Sequence, residues 1–132
     1  RVEYDKSKTY THSKKQMLNT ICGLLGGMAA EEVFIGEFEN GNSSDLQKAT
    51  QIAGMIITKF GMSSLGFPVI EDDNAKSMMS KIYEEENKML KECFEKSKQI
   101  LSENRKTIEK LVDYLIKNKE INEEEFMKIV KN

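Results

Sequence analysis

Few residues of this 132-residue chain stand where they could do chemistry, and Asp45 has the most specific address. It follows Gly41-Asn42-Ser43-Ser44, where a polar turn gives way to the amphipathic run Leu46, Ala49, Ile52, Ala53, Ile56, Ile57 and Phe60. A carboxylate in that place has two uses. It can be an ordinary helix-start charge, worth about 0.3–1 kcal/mol against the helix dipole. It can also be a hard, fixed ligand for a cation whose other ligands lie elsewhere. Glu31 and Glu32 are the next candidates. They stand near the end of an apolar helix, where the dipole disfavours anions. Either both face water, or one leans into a polar cavity beside the core.

The other reactive types carry less. His12 is the only histidine, lies in a polar stretch without a cysteine nearby, and reads as a surface residue. A histidine-based metal site therefore cannot be completed from within this chain. Cys22 and Cys93 each fall in an apolar helical pattern and read as buried, reduced thiols rather than a disulfide or a metal pair. Glu71-Asp72-Asp73-Asn74 is acidic but lacks the alternation of an EF-hand loop, so it reads as a solvated turn. Gly23-Leu-Leu-Gly-Gly has neither the lysine nor the strand-to-helix setting of a phosphate loop. Serines are many, but none stands in a nucleophile-elbow context, and the one histidine reads as peripheral. The formal net charge of −2 leaves no unbalanced basic face and argues against a nucleic-acid partner.

Helices must position these residues. Charged residues make up 32% and hydrophobic ones 39%, with one proline and eight glycines, so long helical runs are allowed in one soluble domain spanning 1–132. Residues 1–12 read as an extended lead-in. Ser13-Lys-Lys-Gln16 fits a capping box, opening a helix whose stripe runs Met17, Leu18, Ile21, Cys22, Leu24, Leu25, Met28, Ala29 and Val33, up to Gly36. Gly26-Gly27 inside it costs about 1 kcal/mol per glycine against alanine, tolerable if another backbone approaches closely. Ser44-Asp-Leu-Gln47 repeats the capping pattern, with Ser44 as the cap and Asp45 at the first helical position. A Gly/Pro-punctuated connection, partly extended, covers Met62–Ile70. A long helix follows over Ala75–Leu101, its pattern allowing a break near Lys81. Asn104 is placed to cap the next helix (Ile108, Leu111, Val112, Leu115, Ile116), and Asn122 to start a last short one. The methionines lie on these stripes and read as core filling. The expected fold is all-α, a bundle of about five helices.

Three segments then occur in a recognisable order: Leu24-Leu-Gly-Gly-Met-Ala-Ala-Glu-Glu-Val-Phe-Ile-Gly36, Gly41-Asn-Ser-Ser-Asp-Leu-Gln-Lys-Ala-Thr50, and Ile56-Ile-Thr-Lys-Phe-Gly-Met-Ser63 with Leu65-Gly66. From about Ser13 to Val130 the chain resembles the peptidase domain of FtsH-type ATP-dependent zinc metalloproteases. The resemblance implies one zinc, held by two histidines of an H-E-x-x-H helix and by an aspartate that aligns with Asp45. Ser44, Glu31 and Glu32 would form the surroundings of that ligand. It further implies a membrane-anchored homohexameric parent with the domain on the cytoplasmic side, an AAA-type ATPase domain using ATP and magnesium, and protein substrates. The H-E-x-x-H motif is absent, and the chain opens on Arg1 rather than Met, so it is expected to be the C-terminal part of that domain, starting after the motif. It is then soluble, without catalytic residues, without bound zinc and inactive alone. Met28 stands where the family usually has arginine, Ser44 where it has asparagine, and the Gly61–Gly66 turn is one residue short. The alternative is a non-catalytic helical interaction or assembly module derived from the protease.

Overall fold

A computed structural model describes residues 11–131. The lead-in expected over 1–12 falls outside the described residues except for Thr11 and His12. Helix α1 spans Lys14–Leu24 and starts on the expected capping box. The Gln16 amide donates to Ser13 Oγ at 3.1 Å, and the Ser13 amide donates to Gln16 Oε1 at 2.8 Å.

The single helix expected to run on to Gly36 is two. It breaks at Leu25, and α2, Gly26–Ala30, departs from α1 with a bend of 50°. Paired glycines hold a helix weakly, while Leu25 and Ala29 are drawn into the core. The bend lets both α1 and α2 bury their apolar stripes. Beyond Ala30 the backbone widens into a π-turn over Glu31–Ile35 and ends at Gly36, whose φ of +90° suits glycine and few other residues.

A 3-10 turn at Asn40–Asn42 runs straight into α3, Ser43–Gly54. Ser44 is therefore not the cap. The helix is already wound at Ser43, whose φ and ψ are helical. A capping residue needs an extended backbone; Asn42 precedes the helix instead, without a side-chain cap bond. Asp45 is thereby the third residue of the helix rather than the first, still within its first turn. Helix α3 loosens into a second π-turn at Met55–Lys59 and stops before Gly61.

Helix α4, Ala75–Glu103, is continuous through Lys81 and reaches two residues past the expected end. Asn104 turns back rather than forward: its Nδ2 donates to the Ile100 carbonyl at 2.7 Å, closing α4 instead of capping α5, Arg105–Asn118. Asn122 Oδ1 accepts the Glu125 amide at 2.8 Å and starts α6, Glu123–Lys131, as expected. The all-α expectation stands, with six α-helices rather than about five among the described residues, and no strand there.

The core is made by α1 to α4. Ile21, Leu25, Ala49, Ala53, Ile56, Ile57, Ile82, Met89 and Cys93 form one buried cluster. Ala49 and Ala53 let α3 lie close against α1, and α4 backs the other helices along its length. Helices α5 and α6 bury no residue completely.

Candidate functional site

Asp45 is half-buried in the first turn of α3. What fixes it is the loop before it, and Glu31 fixes that loop. Glu31 Oε2 accepts the Glu39 backbone amide at 2.6 Å, and its Oε1 accepts the side-chain amide of Asn42. Bonds from an ionised carboxylate to N–H groups are roughly twice as strong as neutral ones. One side chain on the π-turn thus holds both the middle and the end of the segment feeding α3, three residues ahead of Asp45.

Gly27 supplies the space. A Cβ there would lie 2.7 Å from Asn42 Oδ1, closer than real Cβ contacts come. The close approach expected at Gly26-Gly27 is made at Gly27 alone, and by a side chain rather than another backbone. The loop is also held from the side by Phe38, whose ring meets Phe94 of α4 edge-on at 6.1 Å.

Glu32, its sequence neighbour, points elsewhere. Its Oε2 lies 2.8 Å from Lys98 Nζ on α4, which is also 3.1 Å from Glu95 Oε1. Contact first with Glu32 and then with Glu95 raises the Lys98 pKa. The reading in which both glutamates face water fails on these contacts. Glu31 serves the Asp45 loop, and Glu32 pins the π-turn to α4. Arg105 completes this corner: it donates to the Val33 carbonyl at 3.3 Å, and its guanidinium lies 5.1 Å from the Phe34 ring centroid.

Ser44 is exposed on the outer side of the first turn. His12 is exposed as well. It lines a cavity of about 600 Å³ with Met17, Thr20, Ile52, Met55, Phe60 and Met62. Met55 and Met62 show there, so not every methionine is core filling, although Met89 is buried and Met17, Met28, Met78 and Met79 pack on the core. Asp72 and Asp73 are exposed in the turn before α4.

Among the described residues, no three His, Cys, Asp or Glu side chains converge as a metal site would require. Zinc takes three or four protein ligands, so Asp45 can be one donor and no more. The sequence marks Gly26-Gly27 as a place of close approach but not its partner, and it assigns Asn42 no role. The signal available was a glycine with no stop to justify it and an asparagine three residues ahead of the carboxylate.

The chain matches the family model described as peptidase family M41 over residues 3–129. It is 33% identical over 138 residues to the ATP-dependent zinc metalloprotease FtsH of Bacillus subtilis (strain 168), covering 92% of this chain and 22% of that protein. The FtsH of Aster yellows witches'-broom phytoplasma (strain AYWB) is 33% identical over 131 residues, with coverages of 95% and 19%. That of Lancefieldella parvula is 32% identical over 143 residues, with coverages of 98% and 22%. The chain spans about a fifth of the length of these curated relatives.

Proposed function

The chain belongs to peptidase family M41, and from that we propose that it is part of the peptidase domain of an ATP-dependent zinc metalloendopeptidase, to which it contributes Asp45 as a zinc ligand. One observation carries the role of Asp45. Its carboxylate sits on a helix start whose preceding turn, at Asn42, is held by Glu31 of the π-turn and given room by Gly27 of α2. A ligand held on rigid elements by its surroundings is what a metal site needs. A helix-start charge needs no such clamp, since the dipole acts without one. Glu31 is then a positioning residue, acting through the loop rather than on the metal. Ser44 and Glu32 stand further out.

The described residues do not complete a zinc site. The resemblance assigns the other ligands and the base to an H-E-x-x-H helix that the chain lacks. No step of peptide hydrolysis is built from the side chains present, and the chain alone is expected to be inactive. The zinc, when bound in the complete domain, would activate a water for attack on the peptide bond. The remaining properties rest on the resemblance: protein substrates, an AAA-type ATPase domain in the same protein using ATP and magnesium, a homohexamer, and membrane anchoring with this domain on the cytoplasmic side. Among the described residues no single helix is long and apolar enough to cross a membrane.

The test is Asp45→Asn in the parent protein, with casein cleavage and bound zinc measured together. Loss of a ligand should lower both by at least the ~10–100-fold that changes around a ligand cost. Glu31→Gln should lower activity less and loosen the loop over 37–42 in hydrogen exchange. Full activity in Asp45→Asn would refute the ligand role. A parent that neither binds zinc nor cleaves casein makes the chain a non-catalytic helical module instead.

A further inference from the structure

We propose that Cys22 and Cys93 form a redox pair, which a peroxide closes into a disulfide tying α1 to α4. The argument begins with how closely these helices lie. Ser97 Oγ donates to the Cys22 carbonyl at 2.7 Å, and Cys93 Sγ lies 3.8 Å from the Leu18 carbonyl oxygen. Positions 93 and 97 are one turn apart on α4, as are 18 and 22 on α1. The helices therefore run alongside in step at these two contacts.

Side chains on a helix tilt toward its N-terminus. The Cys22 sulfur accordingly leans back toward the level of Leu18, where the Cys93 sulfur already is. Proximity shows in the chemistry as well: the Cys93 thiol is pushed up to about 12, first by burial and then by its neighbour Cys22. A disulfide needs Cα atoms within about 7 Å, and a serine hydroxyl and a cysteine sulfur of α4 that each reach a backbone carbonyl of α1 point to helices close enough for one.

Access is one-sided. Cys93 is 5% exposed, while Cys22 is partly exposed and lines an open cavity of about 350 Å³ with Asn19, Gly23 and Ser97. Cys22 is therefore where an oxidant arrives. Its thiolate attacks one oxygen of hydrogen peroxide, the O–O bond breaks, and the leaving hydroxide takes a proton to become water. Cys22 is left as the sulfenic acid. The Cys93 sulfur then attacks the Cys22 sulfur. Its proton goes to the departing hydroxide, the S–O bond breaks, the S–S bond forms, and a second water leaves. Two thiols lose two electrons, and one peroxide becomes two waters. Because Cys93 holds its proton firmly, the second step is slow and intramolecular.

The experiment treats the 132-residue chain, at low concentration, with graded hydrogen peroxide. Free thiols are then alkylated in denaturant, and peptides are mapped without reduction. The expected result is loss of both thiols together, one peptide joining Cys22 to Cys93, a monomer on a non-reducing gel, and a thermal midpoint raised by several degrees that dithiothreitol reverses. Cys22→Ser should leave Cys93 alkylatable at oxidant levels that close the native pair. Sulfinic acid at Cys22 with Cys93 still free would overturn the proposal. So would disulfide-linked dimers as the main product. The peptide map reads the pairing directly, so a variant that folds poorly does not leave the question open.

Discussion

Asp45 and Glu31 differ in how their carboxylates are used: the first is half-buried at the start of α3, proposed above as a zinc ligand, and the second is used up holding the loop. Glu86 shows what happens to a carboxylate with no such use. It lies on α4 beside Gly54, where a Cβ would come within 2.9 Å of its Oε1, and burial raises its pKa above the usual carboxylate value. A raised pKa in the folded state means stability that is present below the unfolded value and lost as pH rises through the folded one. At neutral pH the ionised Glu86 therefore costs stability. Glu86→Gln should raise the thermal midpoint at pH 7 and leave it nearly unchanged at pH 4, where the native side chain is already largely neutral. Equal effects at both pH values would mean that packing rather than charge is responsible.

At the scale of elements, the two glycines at the head of α2 separate by function although they are adjacent in sequence. A Cβ added at Gly26 would meet nothing within 4 Å, whereas one at Gly27 would run into Asn42 Oδ1. Gly26→Ala should stabilise the protein by up to about 1 kcal/mol in urea unfolding, the ordinary gain of alanine over glycine in a helix. Gly27→Ala should gain less or nothing, because Asn42 must leave Glu31 to make room. In the parent it should also lower peptidase activity, which Gly26→Ala should spare. Caps show the same dependence on partners. Ser13 and Gln16 cap α1 as their spacing says, because nothing else competes for them. Ser44 and Gln47 repeat the spacing without the cap, because the preceding turn at Asn40–Asn42, held by Glu31, has already wound the chain into helix.

Over the whole molecule, stability is concentrated in α1 to α4. Helices α5 and α6 have clear apolar faces yet bury no residue completely, and Ile116 remains 73% exposed. Arg105 ties α5 to the π-turn, and the Tyr114 hydroxyl donates to Glu125 between α5 and α6. Few buried contacts mean low local stability. Amides over 105–131 should therefore exchange at least about tenfold faster than those of Ile56, Ile57 and Met89, a gap of ~1.4 kcal/mol or more. Uniform protection would show that these helices share the core's cooperativity. The sequence by itself determined the all-α class, the stripes that became the core, the place of Asp45 in a first helical turn, and the family. All of these follow from local periodicity and from ordered motifs. It did not determine the break at Leu25, the start of α3 at Ser43, or which of two adjacent glutamates serves Asp45. Those depend on contacts between distant segments: Glu31 to Glu39 and Asn42, Glu32 to Lys98, Gly27 to Asn42. Spacing along one helix carries no information about which partner arrives from another, so only the tertiary structure could decide them.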